Sequence, residues 1–206
     1  MNGEGSILRS LTIQSRTLHA LMMREVITRF GRDNLGTLWL IAEPMLFTLG
    51  VAALWTAGGM NHGSSLPIVA FAVTGYSSVL LWRNCANRSM MAIEANLPLL
   101  FHRNVKVIDV FLTRCVLEIA GASASFAILA TFFTSIGWMT APVDMLQVVF
   151  GWFMLAWFGT ALALVLGAGT AYSHVVEKLW GPASYLLFPL SGAAFMVDWL
   201  PPAFQQ

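Results

Sequence analysis

Apolar residues fall into five long runs separated by short polar stretches: Gly36 to Ala57, Leu66 to Trp82, Val107 to Trp138, Met145 to Tyr172 and Leu179 to Val197. A helix needs about 20 apolar residues to cross the hydrocarbon core, where its backbone has no water to bond. Each run therefore predicts a transmembrane helix. Tryptophan marks the same boundaries, with Trp39, Trp55, Trp82, Trp138, Trp180 and Trp199 near the ends of runs, where an amphipathic ring settles at headgroup level. Within the runs, Gly121 with Ser125 and Ala163 with Gly167 recur at four-residue spacing. Such pairs let helices approach closely, although Gly- and Ala-rich sequence also produces them by chance. Ahead of the first run, Leu11 to Phe30 predicts a helix with Leu11, Leu18, Met22 and Val26 on one side and Arg16 and Arg24 away from it; Ala20 and Ile27 spoil the pattern. A basic helix beside a span either lies along the inner leaflet or stands as an ordinary solvated helix.

Charge orients this plan. Arg9, Arg16, Arg24, Arg29 and Arg32 precede the first run; Arg83, Arg88, Arg103, Lys106 and Arg114 surround the stretch between the second and third; Lys178 follows the fourth. Gly58 to Ser65 and Gly137 to Asp144 contain no basic residue. By the positive-inside rule the basic regions face the cytoplasm and the others face out. The N-terminus is then cytoplasmic, in a multi-pass integral membrane protein. Composition agrees, at 57% hydrophobic and 10% charged with mean hydropathy +0.71, against the quarter or so of charged residues usual in soluble domains. The net charge of +1 conceals this sidedness. Arg16, Arg24, Glu25 and Arg29 interrupt the first thirty residues, so no cleavable signal core forms.

Candidate chemistry is sparse. His19, His62, His102 and His174 are dispersed without metal-ligand spacing, and Cys85 and Cys115 imply neither a disulfide nor a metal site. No nucleophile elbow occurs. Lys106 follows Val105 and Lys178 follows Glu177, so neither lysine belongs to a phosphate-binding loop. Any ATP that drives this protein must be bound by another subunit. Two acids lie in or near the bilayer, where ionisable groups are functional candidates by default. Glu118 stands one helical turn after Arg114, which predicts an i,i+4 ion pair. Glu43 precedes Pro44, whose missing N–H frees a carbonyl in the preceding turn, and Glu43 is open to a capping or interhelical role. Trp152, Phe153, Trp157 and Phe158 crowd the outer half of the fourth run, either as sugar-stacking rings on a translocation path or as packing.

The stretch Arg24-Glu-Val-Ile-Thr-Arg-Phe-Gly31, with Leu35-Gly36, Leu38-Trp39 and Glu43-Pro44, resembles a signature of ABC-type-2 polysaccharide exporter permeases. A second block, Ala92-Ile-Glu-Ala-Asn96 through Phe101, Arg103, Val105-Lys106 and Ile108-Asp109 to Leu117-Glu118, is similar to the inner-membrane permease of capsular polysaccharide export. The resemblance implies an all-α membrane protein: residues 1–34 as a cytoplasmic N-terminus with an amphipathic interfacial helix, and residues 35–206 as an ABC-type-2 transmembrane domain. Five of the family's six spans are expected here, with the sixth absent and the domain incomplete at its C-terminal end. The resemblance further implies a homodimer on two copies of a nucleotide-binding ATPase, which carry ATP and Mg, leaving no cofactor in this protein and no nucleic acid among its partners. A lipid-linked polysaccharide would be handed to periplasmic and outer-membrane polysaccharide export proteins.

By position, Asn87 to Phe101 corresponds to the family's coupling helix, with Arg88, Glu94, Asn96 and Arg103 as candidate ATPase contacts. Arg24, Arg29 and Arg32 are candidates for the phosphate of the glycolipid headgroup, which suits guanidinium geometry. Glu43, Trp152 and Trp157 are candidates for the translocation path. The same architecture exporting O-antigen, teichoic acid or a drug is the near alternative. An ion-driven secondary carrier would call for paired intramembrane acids and repeat symmetry, for which only Glu43 speaks; a membrane scaffold and a membrane enzyme rank below it.

Overall fold

The computed structural model describes residues 3–30, 35–58, 67–90, 92–101 and 105–193. Among these residues the structure is all-helical: α1 (Gly3–Phe30), α2 (Leu35–Ala57), α3 (Ile68–Ser89), two single turns α4 (Ala92–Ala95) and α5 (Leu97–Leu100), then α6 (Val107–Ser135), α7 (Met145–Tyr172) and α8 (His174–Leu190). Three helices are long and apolar enough to cross a membrane: α2 over Leu38–Ala57, α6 and α7. The other two predicted spans are helical but more polar. α3 runs on past Trp82 to Ser89 through Arg83, Asn84, Asn87 and Arg88, and α8, of 17 residues, contains Glu177, Lys178, Pro182 and Pro189. α8 also begins earlier than expected, because the Ser173 hydroxyl caps it by accepting the Val175 N–H. The end of the fifth run, and Asp198 and Trp199 after it, lie outside the described residues, as do His62 and His102.

Packing surrounds α3 on several sides, although Arg83, Asn84, Asn87 and Arg88 are not themselves buried. α3 is the central helix, packing on α2, α6 and α7, and Ala72, Val73, Leu81, Cys85 and Ala86 are fully buried. The partners of α3 fix their directions. Trp55 near the end of α2 stacks on Phe71 near the start of α3, and Val73 shares a core with Leu129 and Phe133 of α6. Gly159 and Gly167 of α7 meet Trp82 and Ser89 in the same order along the chain. Thus α2 and α6 run antiparallel to α3, while α7 runs parallel to it.

Small residues make these approaches possible. Gly121, Ser125, Ala163 and Gly167 are all buried, so their spacing reflects packing and not chance. A Cβ at Gly167 would stand 2.2 Å from Phe111 Cε1, and one at Gly121 only 2.7 Å from the Leu40 carbonyl oxygen. Leu40 is four residues before Pro44, so its carbonyl is the one that the proline leaves without a helical donor. The exposed backbone of α2 therefore faces the one residue type on α6 with no side chain to obstruct it.

α1 docks on α2 and α6. Leu18, Met22 and Val26 are half-buried and Leu21 is buried, whereas Ile13, Met23 and Ile27 stay exposed; the Leu11 side chain lies outside the described residues. Polar ties pair Gln14 with Asp109, Glu25 with Arg114 and Arg29 with Glu118. Their order shows α1 following the first third of α6 in parallel.

Candidate functional site

The starts of α2 and α6, the end of α3 and the second half of α1 converge at one end of the bundle, and there the charged side chains meet. Arg29 is held by two carboxylates, Glu118 of α6 and Glu25 one turn back at 3.0 Å. Arg114 Nε lies 3.1 Å from the same Glu25 oxygen, close enough for Coulomb attraction although the N–H does not aim at it. Its Nη1 instead donates to the Arg88 carbonyl at 2.6 Å, fastening α6 to the end of α3. Arg88 sits between two acids, with Nη2 3.4 Å from Glu43 of α2 and Nε 3.5 Å from Glu118. Three guanidinium groups and three carboxylates therefore join four helices, and their formal charges cancel. Arg29, Arg114, Glu25 and Glu118 are the more buried members, at 13%, 13%, 12% and 8% side-chain exposure. Charges removed from water to this degree are tolerated only when paired.

The pairing differs from the sequence expectation in one respect. Glu118 meets Arg29 and Arg88, not Arg114, which turns to Glu25 and the Arg88 carbonyl. An i,i+4 pair on a helix surface contributes only a few tenths of a kcal/mol, so buried partners on neighbouring helices prevail. Glu43 takes the interhelical alternative, through Arg88.

A second polar tie reaches the α4–α5 turn. Arg24 Nη1 donates to Asn96 Oδ1 at 2.6 Å, and the Asn96 amide donates to the Ala92 carbonyl at 2.9 Å. Asn96 is 3% exposed, so it braces the turn from inside. Glu94 faces outward, 3.8 Å from His174 Nε2 at the α7–α8 junction, and Phe101 is 86% exposed beside exposed Leu97. Asp109 is buried, accepts from the Gln14 amide and the Lys106 backbone N–H, both at 3.0 Å, and so closes the start of α6.

Of the candidate ATPase contacts, Asn96 is buried, Arg88 joins the ion cluster while its side chain stays 40% exposed, Glu94 lies at the surface beside His174, and Arg103 lies outside the described residues. Of the candidate headgroup contacts, Arg29 belongs to the ion cluster, Arg24 is bonded to Asn96, and Arg32 lies outside the described residues. Trp152 and Trp157 do not share a surface. Trp152 Nε1 donates to Ser123 of α6 at 2.8 Å and its ring stacks on Phe126, 4.6 Å away, beside an apolar cavity of about 640 Å³ between α6 and α7. Trp157 is exposed and touches Phe153 edge-on. Glu43 joins the ion cluster, at the other end of the bundle from the Trp152 cavity. No local sequence signal announces the roles of Glu25 and Arg114, whose partners in the cluster include residues distant along the chain. Cys85 and Cys115 are buried together with Ala163, both as free thiols.

No family model matches the sequence. Three named proteins are similar to it over most of its length. The capsule polysaccharide export inner-membrane protein BexB of Haemophilus influenzae is 44% identical over 193 residues, which cover 94% of this chain and 73% of that protein. The capsule polysaccharide export inner-membrane protein CtrC of Neisseria meningitidis serogroup B is 42% identical over 201 residues, 98% of this chain and 76% of that protein. The polysialic acid transport protein KpsM of Escherichia coli is 32% identical over 156 residues, 74% of this chain and 59% of that protein.

Proposed function

The chain belongs to the family of capsule polysaccharide export inner-membrane proteins, and from that premise we propose that it is the permease subunit of an ATP-binding cassette exporter of capsular polysaccharide. The single observation that carries this reading is 44% identity across 94% of the chain to a protein of that name. Among the described residues, an all-helical bundle with three helices long and apolar enough to cross a membrane supports a permease. No lysine lies in a phosphate-binding loop, so hydrolysis belongs to a separate ATPase carrying ATP and Mg. The role of this protein is transport.

Several finer assignments extend the proposal. Residues 35–206 form the transmembrane domain, with α3 and α8 as further spans; of their polar residues, Asn87 meets Trp180 and Arg88 meets Glu43 and Glu118. Residues 1–34 form the cytoplasmic N-terminus, and α1 is its interfacial helix, with Ile13, Met23 and Ile27 left exposed on the side away from α6. The permease works as a homodimer with two ATPase copies, accepts a lipid-linked polysaccharide, and passes it to periplasmic and outer-membrane export proteins. The ATPase docks on the α4–α5 turn. Glu94, Leu97 and Phe101 supply the exposed contact, Arg103 extends it, and Asn96 with Arg88 transmits the displacement inward. Support for this division comes from the burial of Asn96 and the exposure of Phe101. Arg24 and Arg32 remain headgroup candidates with Arg29, which the ion cluster already holds.

Co-purification of the full-length protein with its ATPase, followed by ATP-dependent movement of lipid-linked polymer into vesicles, tests the reading. A two-plus-two complex whose ATPase rate rises with glycolipid is expected. A protein that assembles with no ATPase, or that moves no polymer when ATP is supplied, would sink it.

A further inference from the structure

Apart from the ion cluster, one guanidinium packed between helices has no acceptor among the described residues. Tyr76, Arg83 and Asn87 lie along one face of α3 at i, i+7 and i+11, and α8 runs antiparallel against them. The two ends of this contact are closed. Tyr76 meets the Phe188 ring edge-on at 5.9 Å, and Asn87 accepts the Trp180 indole N–H at 2.7 Å. Between them the Arg83 guanidinium carbon lies 4.7 Å from the centroid of the Tyr185 ring, with Tyr76 beside both. Arg83 Nε is buried without a hydrogen-bond partner, and Arg83 forms no ion pair among the described residues. Arg24, Arg29, Arg88 and Arg114 all have oxygen acceptors. Arg83 also precedes Arg88 by five residues, which places it about 7 Å deeper along the helix than the cluster.

Such an arrangement is unfinished chemically. A ring face attracts a cation but offers no acceptor for the five N–H donors of a guanidinium. An unpaired charge at membrane depth is costly and marks a functional position by default. An anion with two oxygens would suit it, since the guanidinium fork engages such a group in parallel. Tyr185 is itself exposed, so its ring and hydroxyl are open to a flat, hydroxylated ligand. We propose that Arg83, Tyr76 and Tyr185 form a contact site for carboxylate or phosphate groups borne on the sugar units of the exported glycan. This inference rests on the exporter reading. The planar fork takes the acidic group while the tyrosine rings lie against the sugar face, and a neutral stretch of polymer gains only the second contact. Aromatic rings from both α3 and α8 beside Arg83 favour a glycan over a lipid headgroup.

The test uses the full-length permease with its ATPase in vesicles, supplied with the host's own lipid-linked polymer. That polymer is offered native and with its acidic groups neutralised, by carboxyl reduction and phosphodiester methylation. Wild-type protein is expected to show a KM about tenfold lower for the native form at similar kcat. Arg83→Gln should raise the native KM to that of the neutralised polymer and leave the latter unchanged. Arg83→Lys should fall between them, and Tyr185→Leu should raise both KM values. A host polymer with no acidic group would overturn the proposal, and so would an Arg83→Gln effect equal for both polymers. An Arg83→Gln effect seen only in vesicles containing phosphatidylglycerol would assign the site to a headgroup and also overturn it. Absence of any ATP-driven movement by the wild type would instead remove the exporter reading on which the proposal stands.

Discussion

Substituting Glu118 by Met isolates the energetics of the ion cluster. The change removes one of three carboxylates and leaves Arg29, Arg88 and Arg114 facing Glu25 and Glu43, one uncompensated positive charge. Removing one partner of a buried pair costs about 3–5 kcal/mol, because the other charge stays desolvated. Two features place this case at the low end. Arg29 keeps Glu25 at 3.0 Å, and Arg88, at 40% exposure, has access to screening. A loss of about 3 kcal/mol is therefore expected. Replacing Arg29 by Met in addition restores the balance at two and two, and apolar side chains of similar volume replace buried pairs at little net cost. The double variant should lie within about 1 kcal/mol of wild type, with a coupling of about 2 kcal/mol or more between the two sites. Denaturant titration of the purified protein in mixed micelles measures all four corners of the cycle. Additive losses, or a Glu118→Met cost below about 1 kcal/mol, would refute the view that Arg29 is stranded without its acid.

Other substitutions probe the close approaches. Gly121→Ala puts a methyl 2.7 Å from the Leu40 carbonyl and should destabilise by about 1–3 kcal/mol in the same titration. Gly167→Ala meets the Phe111 ring edge first, so Phe111→Leu should recover part of its loss, whereas no second substitution should rescue Gly121→Ala, which meets backbone. Asn96→Ala should cost about 1 kcal/mol through the lost Arg24 bond and, if the α4–α5 turn seats the ATPase, lower glycolipid-stimulated hydrolysis more than basal hydrolysis. Cys85 and Cys115, both buried, should resist maleimide in the folded protein and label on denaturation; rapid labelling of either would contradict the packing of α3 on α6.

Helix positions are largely legible in the sequence because apolar runs need no tertiary information to be read. The fourth run coincides with α7, and the first differs from α2 by one residue. The second run stops short of its helix. Arg83, Asn84, Asn87 and Arg88 look like the end of an apolar helix when water is the only assumed partner. Tyr185, Trp180, Glu43 and Glu118 engage three of the four from other helices. The small-residue pairs are readable as packing signals, but their counterparts, Leu40, Phe111 and Ser89, are not. The ion cluster is hidden for the same reason: within one helix Arg114 and Glu118 look like a pair, and only the position of α1 diverts both. Among the candidate site residues, chemistry is legible at the level of charge, and direction is not. Asn96 and Glu94 are two residues apart, yet one is buried and the other exposed.

Translation order gives the docking of α1 a kinetic meaning. Arg29 and Glu118 are 89 residues apart, so at about 5–20 residues per second the ribosome needs roughly 4–18 s to supply the acid after the base has been made. During that interval the first helix has left the tunnel with Arg29 held only by its neighbour Glu25. The amino-terminal helix can close its bond to Glu118 only after the first third of α6 has been made, so closure of the charged junction reports that synthesis has reached at least that point.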